Sequence, residues 1–327
     1  MTSPQNRSEL SRCAIPVELL QHILEELPQR DLLNVCTLSQ TFHKEVLRVL
    51  YRHVDIVNST IDQFNSLTSL IANRPDLGQL IHALSLPNEL GSENRDDLDS
   101  ARVGRLAGQL SSALRSMGNL SALFIDQQTP RPGSYNNPQK PMYCIKYLRG
   151  EHILGCGFRL KTLRYNWHAL WIRDIMLPFL REQSQIQHLG TGMEYDLTEE
   201  PGNAIDNLLP QVSVASVWYE TPVLFKLVAS RPLQRLKLFM SLTQPGDYWH
   251  SDFLNALQIL APASATLTHF YYVHWGPFDA DEAYHVDTLK NIARGLPNLK
   301  FLRYSDQIVL NVSISFLIEA SLTRVFE

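Results

Sequence analysis

Three histidines, His269, His274 and His285, lie near Asp279, Asp281 and Glu282 in the chain. These are the residue types that ligate zinc and other divalent cations. Their spacing matches no compact ligand motif and equally suits a solvated surface, so no metal is expected. Gly155-Cys156-Gly157 and Gly190-Thr191-Gly192 each begin a turn that lets backbone approach a phosphate, yet neither continues to the third glycine of a dinucleotide fingerprint. The chain has no G-x-x-x-x-G-K-S/T loop, no H-E-x-x-H and no G-x-S-x-G. Cys13, Cys36, Cys144 and Cys156 include no C-x-x-C pair and read as ordinary or buried thiols of a reducing compartment. The expectation is a protein that is not an enzyme and carries no cofactor.

The remaining chemistry is that of binding. Tyr165, Trp167, Trp218, Tyr219, Phe239, Tyr271, Tyr272, Trp275 and Tyr304 follow apolar runs. At such places they either fill a core or stand on an open surface, where aromatic and Arg side chains dominate binding energy. Lys237, Tyr271 and Arg303 occupy matching positions in three successive motifs, and Arg164 matches them earlier in the chain. Together with His274 and Trp275, the residues Lys237, Tyr271 and Arg303 are the candidate site for a protein target.

Those positions are defined by a short pattern: apolar, two variable, apolar, one variable, apolar. It recurs at Ile81/Leu84/Leu86, Leu120/Leu123/Ile125, Leu160/Leu163/Tyr165 and Ile186/Leu189/Thr191. It continues at Val212/Ala215/Val217, Leu233/Leu236/Leu238, Leu267/Phe270/Tyr272 and Leu299/Leu302/Tyr304, all at uneven intervals. Between the copies, helical stripes run through Val103, Leu106, Leu110, Leu114 and Met117, through Phe253, Leu254, Leu257 and Leu260, and through Val286, Leu289, Ile292, Ala293 and Leu296. Strand and helix therefore alternate. The pattern resembles the L-x-x-L-x-L signature of leucine-rich repeats, whose units stack until each covers its neighbour's apolar face. The predicted class is α/β: an irregular leucine-rich-repeat-like solenoid of short parallel strands backed by helices. A compact doubly wound α/β domain is the alternative. In a solenoid, alternation puts Arg164, Lys237, Tyr271 and Arg303 on the concave sheet surface. The stretches 87–97 and 127–141 read as loops.

The first fifty residues differ. Pro16, Leu20, Ile23, Leu24 and Leu27 form one helical stripe that Pro28 ends. Pro16 suits the first helical position and Glu18 complements the helix dipole. Asp31 is a candidate cap for a second helix, Ser39 for a third carrying Phe42, Val46, Val49 and Leu50, and 51–56 reads as an extended exit. Three helices this short form a marginal core, so the segment either caps the downstream domain or docks a partner. Ile15-Pro16-x-Glu18-Leu19-Leu20-x-x-Ile23-Leu24-x-x-Leu27-x-x-x-Asp31-Leu32-Leu33 resembles the first half of an F-box. Val35-Cys36-x-x-Ser39-x-x-Phe42 resembles its second half, and Leu50-Tyr51-Arg52-His53-Val54 is similar to the exit of many fungal F-box proteins. The resemblance implies docking on a Skp-type adaptor, and through it on a cullin, with Ile15, Pro16, Leu19, Leu20, Ile23, Leu24, Leu32 and Leu33 as contact candidates. It further implies a substrate receptor of an SCF-type ubiquitin ligase. A repeat scaffold that serves no ubiquitin transfer is the other reading.

Composition agrees with two globular domains: of 327 residues, 44% are hydrophobic and 19% charged. We place an F-box at 12–56 and a target-binding repeat domain at 57–327, with a linker near 57–60. The 29 basic and 33 acidic residues leave a net charge of −4, without the basic stripe of a nucleic-acid binder. No signal-peptide core and no run of about 20 apolar residues is visible, so neither nucleic acid nor membrane is an expected partner and the expected compartment is cytoplasmic or nuclear.

Overall fold

A computed structural model describes residues 15–87, 90–92, 99–126, 143–145, 152–165, 177–191, 207–219, 222–241, 248–275 and 282–306. The chain divides into two compact units, one ending at Val54 and one starting at Asp55. The boundary falls two residues before the one expected from sequence.

The first unit holds α1 (Val17–Glu25), α2 (Gln29–Val35) and α3 (Gln40–Arg52), with α3 packed against both others. Leu20, Leu24, Leu32 and Val46 form its buried core, flanked by Leu27, Val35, Phe42, Val49 and Leu50. Pro16 stands one residue before the first helical position, and its carbonyl accepts the Leu20 N–H at 3.0 Å. Asp31 does not cap α2: Pro28 holds that place, and Asp31 sits inside the first turn, where its charge complements the dipole. Ser39 caps α3 as expected from sequence, accepting the Phe42 N–H at 3.3 Å. The helix runs further than the sequence indicated, taking in Tyr51 and Arg52 and leaving only His53–Asp55 extended as β1.

One ion cluster ties this unit. Glu45 is buried, accepts a 2.8 Å hydrogen bond from Gln21 Nε2, and receives Arg48 Nη1 at 2.7 and 2.9 Å. Burial pushes its carboxyl pKa up, but the hydrogen bonds from Gln21 and Arg48 and the charges of Arg48 and Lys44 outweigh burial and hold it below its ordinary value. A depressed folded-state pKa stabilises the fold above the unfolded value of 4.5, and that gain is lost as pH falls through the folded value. Acid titration followed by helical circular dichroism should therefore show α1–α3 weakening below about pH 4.5. Glu45→Gln should flatten that part of the curve, and an unchanged acid limb in the variant would assign the transition to other carboxylates.

The second unit is built on a sheet whose strands run in the order β2-β4-β6-β7-β8-β9-β10-β11. Here β2 is Ala83–Pro87, β3 Leu90–Ser92, β4 Ala122–Asp126, β5 Tyr143–Ile145, β6 Thr162–Tyr165 and β7 His188–Thr191. Then come β8 (Val214–Trp218), β9 (Arg235–Ser241), β10 (His269–Trp275) and β11 (Phe301–Asp306). Every pairing from β2 to β11 within this sheet is parallel, and β3 pairs antiparallel with β5 alone. The strand order follows chain order without the reversal that defines a doubly wound sheet. β3 lies inside the stretch expected to be loop, and 127–141 lies outside the described residues.

Each of the eight motifs becomes a strand, and in each the first apolar residue precedes the strand. Ile81, Leu120, Leu160, Ile186, Val212, Leu233 and Leu267 are all buried there. The second and third apolar residues point to one face, which holds Leu84, Leu123, Leu163, Leu189, Ala215, Leu236 and Phe270 in register. Helices α4 (Ile61–Asn73), α5 (Pro75–Gly78) and α6 (Ser100–Ser116) pack on one another. After α7 (Leu177–Glu182), helices α8 (Pro222–Ala229), α9 (Tyr248–Leu260) and α10 (Glu282–Gly295) pack in sequence order. Phe253 of α9 meets Tyr272 of β10 with ring centroids 5.0 Å apart, so this helix covers the apolar face.

Polar side chains link successive units. Asn119 Nδ2 donates to the Gln79 carbonyl at 2.7 Å, and Asn298 Nδ2 to the Ala265 carbonyl at 3.1 Å. The fully buried Gln183 accepts the Leu160 N–H at 2.8 Å, which would otherwise be an orphan donor. Gly78 is required by a close approach: an added Cβ would stand 2.9 Å from the Ser116 carbonyl oxygen at the end of α6.

Candidate docking surfaces

The helical unit sorts its own leucines. Leu20, Leu24 and Leu32 are 7%, 1% and 4% exposed, whereas Leu19, Ile23 and Leu33 are 55%, 52% and 56% exposed. Ile15 and Pro16 are also exposed. Of the eight contact candidates, Leu20, Leu24 and Leu32 thus belong to the core of the three helices. A side chain already packed there has little surface left to offer a partner. Helix geometry makes the division: Leu19 and Ile23 are one turn apart on one face of α1, and Leu20 and Leu24 are one turn apart on the next. Nine large apolar side chains are exposed among the described residues, and six of them, Ile15, Val17, Leu19, Ile23, Leu33 and Leu38, lie in this short unit.

The second surface is the sheet face opposite the apolar row. Alternation places Thr162, Arg164, His188, Gly190, Val214, Ser216, Arg235, Lys237, His269, Tyr271, Phe301 and Arg303 on it. All of these are half-buried or exposed except Gly190. An added Cβ there would stand 3.0 Å from Arg164 Cγ, so the stem of Arg164 runs across β7 where the glycine leaves room. The register aligns Arg164, Gly190, Ser216, Lys237, Tyr271 and Arg303 in a single row across six strands.

Within that row the structure brings three of the five predicted target residues together. Lys237 Nζ lies 4.5 Å from the Phe239 ring centroid and 4.8 Å from that of Tyr271. The Arg303 guanidinium carbon lies 4.8 Å from the same Tyr271 ring. Trp218 stacks on Phe239 with centroids 4.9 Å apart and planes at 17°. Trp218, Phe239, Lys237, Tyr271 and Arg303 therefore form one ribbon of ring and cation contacts over β8–β11. Each cation–π contact contributes about 0.5–1 kcal/mol at an exposed site. Below it, His269 stacks on Phe301 at 4.4 Å.

His274 does not join the row. It pairs in register with Met240 and Asp306, in the alternation set of Phe270 and Tyr272 and not that of Tyr271. The side chains of His274 and Trp275 lie outside the described residues. Phe239 at the centre of the ribbon and the His269–Phe301 stack follow from register. Counting by twos from Lys237, Tyr271 and Arg303 is the sequence signal that reaches them.

The Cys156 thiol is pushed up to about 11 by burial, with Arg115 offsetting part of the effect, so it stays protonated at neutral pH. Gly155 adopts a positive φ of 71°, and its N–H faces Glu182 Oε2 at 3.4 Å, placing a carboxylate where a phosphate loop would hold an anion. Among the described residues no group of His, Cys, Asp and Glu is placed to hold a metal ion, and no helix is long and apolar enough to cross a membrane. Asp279 and Asp281 lie outside the described residues. No protein-family model matches the chain, and no curated protein matches its sequence.

Proposed function

We propose that the chain is the substrate-recognition subunit of an SCF-type ubiquitin ligase, working in the cytoplasm or nucleus. The three-helix unit is read as an F-box that docks on a Skp-type adaptor. The sheet unit is read as a leucine-rich-repeat-like solenoid that holds a protein target on its open face. The observation that carries this reading is the sorting of the helical unit: Leu20, Leu24, Leu32 and Val46 are buried while Ile15, Leu19, Ile23 and Leu33 of the same F-box-like pattern are left in water. A docking module needs such apolar surface open to a partner.

The mechanism is proximity. The chain carries no ubiquitin itself. By holding the adaptor with one unit and the target with the other, it raises the effective concentration of target lysines at the transfer centre of the ligase. Fully covering one exposed leucine or isoleucine side chain contributes about 1.5–3 kcal/mol; Leu19, Ile23 and Leu33 are each about half exposed, so covering all three contributes about 2–5 kcal/mol before the cost of association.

Co-purification separates this reading from its rival. The full chain, expressed with an affinity tag in cells where neddylation is blocked, should bring down a Skp-type adaptor and a cullin in comparable amounts. Adaptor without cullin would make the chain a repeat scaffold outside ubiquitin transfer, and neither protein would remove the F-box reading.

A further inference from the structure

The charge on the open sheet face narrows what it can hold. From β6 to β11, the charged residues at open-face positions are Arg164, Arg235, Lys237 and Arg303, with no Asp or Glu among them. The whole chain has more acidic than basic residues, 33 against 29, so the face departs from its surroundings. Lys237 and Arg303 press on the two neighbouring sides of Tyr271 in register, and among the described residues neither pairs with a carboxylate. Two cations held against one ring repel each other, and an anion laid between them relieves that repulsion. Their stems are already fixed by the rings, so less side-chain freedom is lost when the anion arrives.

Resting on the reading of this face as the target site, we propose that it binds an extended acidic peptide segment lying across the strands. Lys237 and Arg303 are two strands apart, a span of about 10 Å. A peptide in the extended polyproline II conformation advances about 3.1 Å per residue with three residues per turn, so side chains three residues apart face the same side about 9 Å apart. Its carboxylates therefore meet Arg303 and Lys237 when they stand at one position and three residues later. The Trp218–Phe239 stack beside Lys237 offers an apolar shelf to a neighbouring side chain of the same peptide. A nucleic acid is the weaker fit, because tracking a phosphate backbone requires a longer basic stripe than these cations make.

The test uses the full chain without the adaptor, so that failure of acid recognition and failure of adaptor docking are read separately. The probe is a fluorescein-labelled peptide in a Ser/Thr/Gly background with glutamates at its third and sixth positions, against the same peptide carrying glutamines. Fluorescence anisotropy should show the glutamate peptide binding at least about tenfold tighter, with the difference shrinking as salt rises. Lys237→Glu with Arg303→Glu should remove the preference. The isosterically milder Lys237→Met with Arg303→Met should do the same while melting like the parent chain. Leu19→Asp with Ile23→Asp should leave peptide affinity unchanged. Equal affinity for the two peptides, or a preference that survives both double variants, overturns the proposal. So does a thymidine oligonucleotide that binds more tightly than the glutamate peptide.

Discussion

Replacing Leu19 and Ile23 together by aspartate should abolish binding to a Skp-type adaptor while leaving both units folded. Both side chains are more than half exposed in the free chain, so the substitution removes no core contact. Bound to an adaptor, each new carboxylate would be buried among apolar groups without a partner. An unpaired polar group in such a place costs about 2–7 kcal/mol and a charge more. The expected loss for the pair is therefore at least about a thousandfold in affinity. Adaptor pull-down reads the loss, and a thermal melt unchanged from the parent chain shows that folding is intact. Undiminished pull-down by the double variant would mean that this face of α1 does not dock the adaptor.

Leu24→Ala should act in the opposite order. Leu24 is 1% exposed at the centre of the helical core, so truncation leaves a cavity among Leu20, Leu32 and Val46. Buried Leu→Ala replacements cost about 2–5 kcal/mol. A three-helix unit this small has little stability to spare. The expected result is partial or complete unfolding of α1–α3, seen as fast amide exchange in residues 17–52 with slow exchange kept in the sheet. Adaptor binding would be lost as a consequence. If Leu24→Ala stays folded by exchange and still loses the adaptor, Leu24 reaches the partner directly and the division into core and contact residues is wrong.

Much of this arrangement is legible in the sequence because the sheet repeats one geometric demand. Each strand needs two apolar residues at alternate positions for the buried face, and one more apolar residue just before it to close the preceding turn. Val212/Ala215/Val217 and Ile186/Leu189/Thr191 satisfy that demand with small or polar side chains, and both become strands, β8 and β7. The same alternation put Lys237, Tyr271 and Arg303 on one face before any coordinates. It also shows why His274 does not belong with them: three residues beyond Tyr271 is an odd step and changes face.

The parts that were not legible depend on tertiary partners. The helical stripe of Leu20, Ile23, Leu24 and Leu27 leaves Leu19 outside, but nothing local separates Ile23 from Leu24. The division is set by where α3 packs, which brings Val46 against Leu20 and Leu24 and leaves Leu19 and Ile23 outside. Asp31 has the chemistry of a cap, but Pro28 takes the cap position of α2 three residues before the sequence signal because it carries no N–H that needs one. The Trp218–Phe239 stack and the arm of Arg164 over Gly190 require strand register, which no single strand encodes.

The claim that the helical unit docks an adaptor is tested most directly by isothermal titration calorimetry of the purified full chain with a purified Skp-type adaptor. The account predicts one adaptor per chain with submicromolar affinity and a negative heat-capacity change, the mark of apolar surface leaving water. It also predicts no measurable heat for the Leu19→Asp, Ile23→Asp variant. Absence of binding by the parent chain, or equal binding by that variant, would contradict it.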